Sequence, residues 1–429
     1  MVFGMSTAPP TDSVVGSEPA PLEEADPPAE DGVGARTERR RVRQRRRTIT
    51  WVGLVVSLLL LAGMGMLGYL GYQASLDISG GELLEVETDP QAPGFEAVVQ
   101  ATPVHLAVLL DENESVSAIN LFSRSAGETG GSILFIPIST AVDIEGVGYS
   151  QLKAAYEEGG PELLESTVEE VLGLGIGETS VIDQQRLADL VAPVAPLTIE
   201  NPDDLYAEAP DGSEELLFEA GELSLDEAGV ARFLATQNGD ETSFNRITRS
   251  EEVWQAWLDA IRQSDDPDVV PGETDSGIGS FLRALGAGET VMQQLPLEKV
   301  TIPNAQGDSD IAYFRPQTQQ VALLMPSIVP FPSSAYPGQR LKTRILNGTS
   351  VDGAELKFTD EAVLAGAEIT ALGNADRFDH EVTQVIYHDS TLADRAQLIA
   401  GQFGVEASLS DETNDASDIT VILGSDIAG

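Results

Sequence analysis

Two arginines offer the clearest chemistry in this sequence. Arg246 and Arg249 stand close together in the segment "FNRITR". Guanidinium groups bind phosphate oxygens through charge-assisted hydrogen bonds, so the pair could hold a phosphate. The same side chains could instead pair with the acids just before them, such as Asp240 and Glu241, and have no further role. The sequence leaves both interpretations open.

Other residue types exclude several kinds of site. The chain has no cysteine, which excludes disulfides, thiol nucleophiles and cysteine-based zinc sites. His380 and His388 lack the neighbouring ligands of a known metal site. The segment "SDETNDASD" is rich in oxygen ligands, but it lacks the central glycine and final glutamate of an EF-hand loop, so we interpret it as an acidic loop.

The charge is very uneven along the chain. The formal net charge is -46, and residues 1–47 contribute nothing to it because their eight arginines cancel their eight acidic residues. The whole excess therefore lies in the body that follows. A body this acidic argues against nucleic acid as a partner, because phosphate backbones need a basic surface.

An uncharged apolar run follows the arginines directly. Residues 49–72 span 24 residues, enough to cross a hydrocarbon layer of about 30 Å. The arginine-rich end of a disordered tail, residues 1–48, predicts that the N-terminus is cytoplasmic and the body extracytoplasmic. A cleaved signal peptide fits less well, since the run is long and no small-residue cleavage site follows. Residues 73–99 are predicted to form a stalk.

The body begins with apolar runs that predict strands: "PVHLAVLL", "VSAINLF" and "SILFI". One helix is predicted from Pro161 to Gly173, and a second is predicted to be capped by Ser250, with Trp254 and Trp257 in its apolar stripe. Continuous apolar strands between amphipathic helices indicate an α/β layer fold.

A second domain is predicted after a Pro/Ser linker at residues 333–340. Residues 341–429 repeat a strand, turn and helix plan and end in the strand "DITVILG", which predicts a small α/β domain. Its helix stripe is predicted to include Ala362 and Leu364. The pair Asn347-Gly348 could cradle a sugar or a phosphate, or it could simply form the turn after the strand.

Several segments resemble the LytR–CpsA–Psr family: "SILFIPISTAVDI", "AAYEEGGPELL" and "VEEVLG". The segments "RILNGTS" and "VILGSDIAG" resemble the LytR C-terminal domain. The resemblance implies an α/β/α sandwich over residues 100–332, followed by the small domain at 341–429. It also implies a membrane-anchored, extracytoplasmic protein of a family that transfers glycopolymers from polyprenyl pyrophosphate carriers to peptidoglycan.

The resemblance further implies where a site would lie. Two aspartates of the family hold a metal ion, and arginines clamp the pyrophosphate as charge builds on it. Asp111 matches the first aspartate, and only Arg246 and Arg249 match the arginines. Charged family positions are replaced here by neutral residues: Ser117, Ile138, Ser139, Gln151, Ala235 and Gln237.

These replacements predict a site that binds more than it catalyses. Each donor aimed at a developing charge is worth about 3–4 kcal/mol of barrier. We therefore expect weak or absent activity, no cofactor, and a role in binding or organising a wall glycopolymer or its lipid-linked precursor at the cell membrane. Expected partners are membrane lipid, the polyprenyl-linked polymer and peptidoglycan. The alternative is an active phosphotransferase that uses magnesium at Asp111 and phosphate at Arg246 and Arg249.

Overall fold

The computed structural model describes residues 87–127, 129–208, 213–238, 241–302, 311–410 and 416–428. The predicted tail (1–48), the predicted membrane span (49–72) and most of the predicted stalk lie outside these residues. Within the described ranges, no helix has both the length and the apolar character needed to span a membrane.

The described chain forms two mixed α/β domains. Strand β1 (Glu96–Val98) comes first and joins the sheet of the second domain. Within the described residues the first domain contains thirteen further strands: β2 (Val104–Leu110), β3 (Val116–Arg124), β4 (Gly131–Ile136), β5 (Ala141–Ile144), β6 (Gly148–Gln151), β7 (Glu178–Ile182), β8 (Leu197–Asn201), β9 (Leu205–Glu208), β10 (Glu214–Phe218), β11 (Gly221–Leu225), β12 (Thr290–Gln294), β13 (Leu297–Ile302) and β14 (Ile311–Pro316). Its helices are α1 (Lys153–Leu172), α2 (Gln184–Val191), α3 (Glu227–Ala235), α4 (Ser243–Gln263), α5 (Gly277–Ala287) and α6 (Thr318–Ile328).

The central sheet of the first domain has five strands in the order β12-β4-β3-β2-β7. Strand β3 is antiparallel to β2 and β4, whereas β7 runs parallel to β2 and β12 parallel to β4. Every residue of β2 is buried. Ala107 and Leu109 face one apolar layer while Leu106 and Val108 face the other, so the sheet is covered on both faces.

Helices supply both covering layers. Helices α2 to α5 pack on one face, where Trp254 and Trp257 stack with ring centroids 5.0 Å apart and Phe122 meets Trp254 at 5.2 Å. Helices α1 and α6 pack on the other face. The predicted apolar stripe of α4 is therefore confirmed as core.

Helix α1 begins earlier than predicted and is broken near its middle. Gly160 has φ 70° and ψ -162°, outside the helical region, and Pro161 starts the second half. Proline suits a first helical position because its missing N–H would have no partner there. The predicted end is confirmed, since Gly173 closes the helix in the left-handed conformation at φ 65°.

The prediction that Ser250 caps α4 is wrong. The helix begins at Ser243, and the hydroxyl of Thr242 accepts the N–H of Asn245 at 3.4 Å. Ser250 lies inside the helix and donates its hydroxyl to the Arg246 carbonyl at 2.9 Å. A serine followed by acidic residues commonly marks the start of a helix. A serine inside a helix can instead donate its hydroxyl to the backbone carbonyl four residues earlier. Arg246 and Arg249 consequently lie in the first turns of α4.

The second domain has one six-stranded sheet. Its own elements are β15 (Leu341–Asn347), α7 (Thr359–Leu364), β16 (Ala367–Asn374), β17 (Gln384–Tyr387), α8 (Ala393–Gln402), β18 (Ala407–Leu409), β19 (Ile419–Leu423) and α9 (Ser425–Ala428). The strand order is β1-β16-β15-β19-β17-β18, with β16, β15 and β19 parallel. Ala362 is fully buried as predicted, but Leu364 is 36% exposed because α7 ends there and turns it outward.

Strand β1 comes from the segment predicted to be a stalk. It pairs antiparallel with β16, and Gly373 permits the approach, since a Cβ there would lie 2.0 Å from the Phe95 carbonyl oxygen. The Asn374 amide donates to the carbonyls of Pro90 and Ala92 at 2.9 and 2.8 Å. The second domain is therefore completed by chain that precedes the first domain.

Candidate functional site

A pocket of about 320 Å³ gathers most of the positions that the family resemblance points to. We call it the α1–α4 pocket, since it lies between the starts of these two helices. It is lined by Ile138, Ser139, Gln151, Lys153, Gln237, Glu241, Thr242, Phe244, Tyr313 and Phe314. Residues more than a hundred positions apart therefore meet in one place, although no single stretch of sequence contains the site.

Backbone hydrogen bonds fix one wall of the pocket. Strand β4 ends at Ile136, and the Pro137 carbonyl accepts both the N–H and the hydroxyl of Thr140, at 3.0 and 2.6 Å. The Lys153 N–H then donates to the Ile138 carbonyl at 3.1 Å. The loop after β4 is thus tied to the start of α1. Ile138 also packs against the apolar layer beneath α1, so its side chain contributes to the core.

Lys153 brings a positive charge to the pocket and is not among the predicted site residues. Its side chain is half-buried, and among the described residues no carboxylate lies within 4.0 Å of its ammonium group. The residue stands two positions after Gln151, which occupies the place of the family's lysine. Lys153 therefore supplies a positive charge to a pocket in which charged family positions are replaced by neutral residues.

Arg249 is used inside the protein. Only 3% of it is exposed, and its Nε and Nη2 donate to the two carboxylate oxygens of Glu241 at 2.9 and 2.7 Å. The same guanidinium donates to the carbonyls of Phe233 and Thr236 at 3.3 and 2.9 Å. The interpretation in which an arginine pairs with Glu241 is confirmed for Arg249.

Arg246 also points inward. It is 7% exposed and donates to the Gln237 side-chain oxygen at 3.2 Å and to the carbonyls of Leu234 and Ala235 at 3.3 and 3.2 Å. Its Nε has no hydrogen-bond partner among the described residues. Burial, together with the nearby charge of Arg249, lowers the pKa of Arg246 to about 10, which leaves it protonated at neutral pH. Gln237 therefore stands between this guanidinium and the pocket.

Asp111, the predicted metal ligand, closes the turn between β2 and β3. Its Oδ1 accepts the N–H groups of Asn113 and Ser115 at 2.8 and 2.9 Å. The Ser117 hydroxyl, at the second aspartate position, donates to the Leu109 carbonyl at 3.1 Å. Among the described residues no three His, Asp or Glu side chains group as metal ligands. A magnesium ion would find one partly used carboxylate here, so the donor set does not fit that ion.

A larger cavity, of about 740 Å³, lies between the β5–β6 hairpin and α1. Acidic residues dominate its polar lining: Asp143, Glu145, Glu169 and Glu170. Partial burial raises the pKa of Glu169, whose carboxylate accepts the Ile176 N–H at 2.8 Å. Carboxylates repel phosphate, so this cavity is a poor anion site in spite of its size.

Two family models match the chain. Residues 125–267 match the LytR_cpsA_psr family, and residues 340–426 match the family described as LytR cell envelope-related transcriptional attenuator. The first match covers both arginines and most of the lining of the α1–α4 pocket. The second coincides with the second domain.

Similar proteins carry names that refer to cell-wall biosynthesis or to teichoic acid transfer. The chain is 34% identical over 130 residues to the probable cell wall biosynthesis protein LcpB of Corynebacterium glutamicum, a match that covers 30% of each chain. It is 27% identical over 237 residues to the polyisoprenyl-teichoic acid–peptidoglycan teichoic acid transferase TagU of Oceanobacillus iheyensis, covering 52% of this chain and 72% of TagU. The crystal structure of B. subtilis TagV aligns with 54% of this chain and 98% of its own, at 15% identity and a TM-score of 0.43. The chain thus spans less than a third of the length of LcpB. Residues 125–267 are a LytR–CpsA–Psr domain, and residues 340–426 are a LytR C-terminal domain.

Proposed function

We propose that this chain is an envelope protein that binds the phosphate-bearing end of a lipid-linked glycopolymer and does not transfer the polymer efficiently. One observation carries the proposal. In the α1–α4 pocket the lining cation is Lys153, while the two arginines donate to Glu241, Gln237 and backbone carbonyls. The pocket therefore offers one ammonium group to an anion and keeps both guanidinium groups behind its wall.

Binding without turnover follows from this distribution of charge. Transfer from a pyrophosphate carrier requires strong stabilisation of the charge that develops on the leaving group. Ile138 donates nothing, and the amides of Gln151 and Gln237 carry no charge. Lys153 can attract a phosphate in its ground state, but groups that bind ground and transition states equally do not accelerate the reaction.

The polyprenyl part of such a ligand would meet aromatic side chains at the pocket. Phe244 and Phe314 both line it, with ring centroids 5.1 Å apart. The interior beneath is filled, because Trp254, Trp257 and Phe233 are each 1% exposed and close-packed. We therefore propose that the first isoprene units lie along the aromatic wall and do not enter the core. The choice of a polyisoprenyl-linked polymer follows the similarity to TagU, a polyisoprenyl-teichoic acid–peptidoglycan teichoic acid transferase.

The location of this activity is part of the proposal. The apolar run at residues 49–72 and the arginines before it support a single-pass anchor with the N-terminus in the cytoplasm. The pocket would then act outside the membrane, close to its lipids. Protease added to spheroplasts should digest the body and spare an N-terminal tag; digestion of the tag with protection of the body would refute this topology.

The binding step is tested with farnesyl phosphate, a soluble short-chain polyprenyl phosphate, and the full chain in detergent. We expect Lys153→Ala to weaken binding about ten- to a hundredfold, since a hydrogen bond to a charged group contributes roughly 1.5–3 kcal/mol. Lys357→Ala is the matched control, because Lys357 is an exposed lysine of the second domain. Added salt should weaken binding by the wild type. Equal binding by the Lys153→Ala variant and the wild type would overturn the proposal.

The same lysine supports the alternative, an active phosphotransferase. Lys153 lines the pocket beside Ser139 and could stabilise some of the charge on a leaving phosphate. This alternative predicts transfer by the wild type, with loss of that activity in Lys153→Ala. Binding without transfer by the wild type would exclude it.

A further inference from the structure

A second cavity, of about 290 Å³, lies in the second domain where strands β15 and β16 end. The strands β16, β15 and β19 are parallel, and the chain leaves β16 to form β17 on the far side of β19. The carboxyl ends of parallel strands at such a change of direction are where open α/β sheets bind ligands. The position alone makes this cavity a candidate site.

Hydrogen bonds hold the loop after β15 in place. The Asn347 side-chain oxygen accepts the N–H and the hydroxyl of Thr349, both at 2.9 Å, and its amide donates to the Val351 carbonyl at 2.7 Å. Asn347 is therefore satisfied within the loop and serves to shape it. The loop presents Ser350 and Asp352 outward, both exposed.

The N-terminal segment builds the opposite wall. Pro90 and Gln91 line the cavity, and the Asn374 amide holds that segment through the carbonyls of Pro90 and Ala92. The Gly94 N–H adds a bond to the Ala375 carbonyl at 2.9 Å. The cavity thus exists only because the chain before the first domain docks on the second.

The lining favours a neutral, hydroxyl-rich ligand. The hydroxyl of Ser350, the carboxylate of Asp352 and the amide of Gln91 all reach the cavity, and none has a side-chain hydrogen bond among the described residues. Phe378 adds a half-buried aromatic ring. Hydroxyl, amide and carboxylate groups together supply the donors and acceptors that sugar hydroxyls need, and the ring supplies an apolar face.

An anion is a poor match for the same lining. No lysine or arginine lines the cavity, and the carboxylate of Asp352 would repel phosphate. Arg377, next in sequence to Phe378, is 61% exposed and pairs with Asp379 at 3.2 Å. The volume lies near the lower limit of about 300 Å³ for small-ligand pockets, which suits one sugar ring. We propose that this cavity binds a neutral sugar unit of a glycan chain.

The test is saturation-transfer difference NMR on the full chain in detergent, with chitotetraose as a soluble neutral probe. We expect the wild type to bind, and Phe378→Ala and Asp352→Ala each to weaken binding about tenfold. Inorganic phosphate should not compete. Lys153→Ala should bind the sugar as the wild type does, so failure here is distinguishable from failure of the phosphate proposal.

Ser350→Ala tests whether a loss of binding could come from misfolding, because this exposed residue can be changed without disturbing the core. We expect it to weaken sugar binding severalfold with an unchanged melting temperature. The proposal is overturned if the wild type does not bind chitotetraose, if phosphate competes, or if all three cavity variants bind as tightly as the wild type.

Discussion

The starts of helices α1 and α4 both carry cations close to the α1–α4 pocket, but only the cation of α1 lines it. At the start of α4, Arg246 and Arg249 are buried and donate to a carboxylate, an amide and backbone carbonyls. At the start of α1, Lys153 is half-buried and has no such partner among the described residues. The two buried arginines are committed to partners inside the protein, whereas the partly exposed lysine remains available to a ligand.

The largest expected effect comes from removing one of the two buried arginines. Arg249→Ala should lower the free energy of unfolding by about 3–5 kcal/mol, because Glu241, whose side chain is 6% exposed, is left buried without its partner. Urea unfolding measures the loss. Arg262→Ala in the same helix is the control, since its pair with Asp259 is about 40% exposed on each side and should cost below about 1 kcal/mol. Equal effects of the two substitutions would contradict the structural role assigned to Arg249.

His105 extends the comparison to a buried group for which the described residues supply no hydrogen-bond partner within 3.5 Å. It is fully buried, its Nδ1 lies 3.6 Å from the Glu178 carboxylate, and burial lowers its pKa to about 4 in spite of that carboxylate, with a smaller lowering from Arg186. The folded state thus favours neutral histidine. Above pH 6.5 the histidine is neutral in both states, so stability does not depend on pH through this group. As pH falls from 6.5 towards 4, the unfolded state binds a proton that the folded state does not. The free energy of unfolding therefore falls by up to about 1.4 kcal/mol per pH unit.

The stability of the wild type should therefore fall more steeply between pH 6.5 and pH 4 than that of His105→Leu. Urea unfolding at several pH values provides both curves. Parallel curves would show that His105 does not change its protonation on unfolding in this range.

A third prediction concerns the contact between β1 and the second domain. Gly373→Ala should destabilise the protein by about 1–3 kcal/mol, because the new methyl group would collide with the Phe95 carbonyl and displace β1. Hydrogen exchange at the Val99 amide, which donates to the Thr370 carbonyl at 3.0 Å, should accelerate. Gly401→Ala in α8 is the control, since nothing lies within 4 Å of its added carbon. An unchanged Val99 amide in the Gly373→Ala variant would refute the account.

The smallest expected effect on stability comes from removing the partly exposed lysine at the start of α1. Lys153→Ala should change the free energy of unfolding by less than about 0.5 kcal/mol, as for other substitutions of partly exposed side chains with no ion pair. A loss comparable to that of Arg249→Ala would show that Lys153 holds the fold and would weaken its assignment to a ligand.

Long apolar patterns predicted much of the fold correctly. The strands "PVHLAVLL" and "SILFI" and the stripe containing Trp254 and Trp257 all lie in the core. Side chains that are buried at a regular spacing produce a periodic apolar pattern, and this pattern is visible in a single sequence. The start of α4 was harder to predict, because Ser250 with its following acids resembles a cap although its hydroxyl bonds inside the helix.

Features that depend on contacts between distant segments left no local signal. Strand β1 is three exposed residues whose pairing is set by Gly373, more than two hundred positions away. The direction in which each cation points also left no local signal. Arg249 turns inward to Glu241, whereas Lys153 turns to the pocket. The residue types predicted a phosphate site at Arg246 and Arg249, whereas the three-dimensional contacts leave Lys153 as the cation that lines the pocket.

The central claim is that the α1–α4 pocket binds a polyprenyl phosphate without efficient transfer. The most direct measurement places the full chain with a polyisoprenyl pyrophosphate-linked glycan, peptidoglycan and magnesium, with TagU as the positive control. It follows the release of polyisoprenyl monophosphate, which is the leaving group when the glycan and one phosphate pass to a peptidoglycan hydroxyl. We predict no release above background under conditions in which the pocket is occupied. Release by the wild type at a rate near that of TagU, abolished by Lys153→Ala, would contradict the account and establish an active transferase.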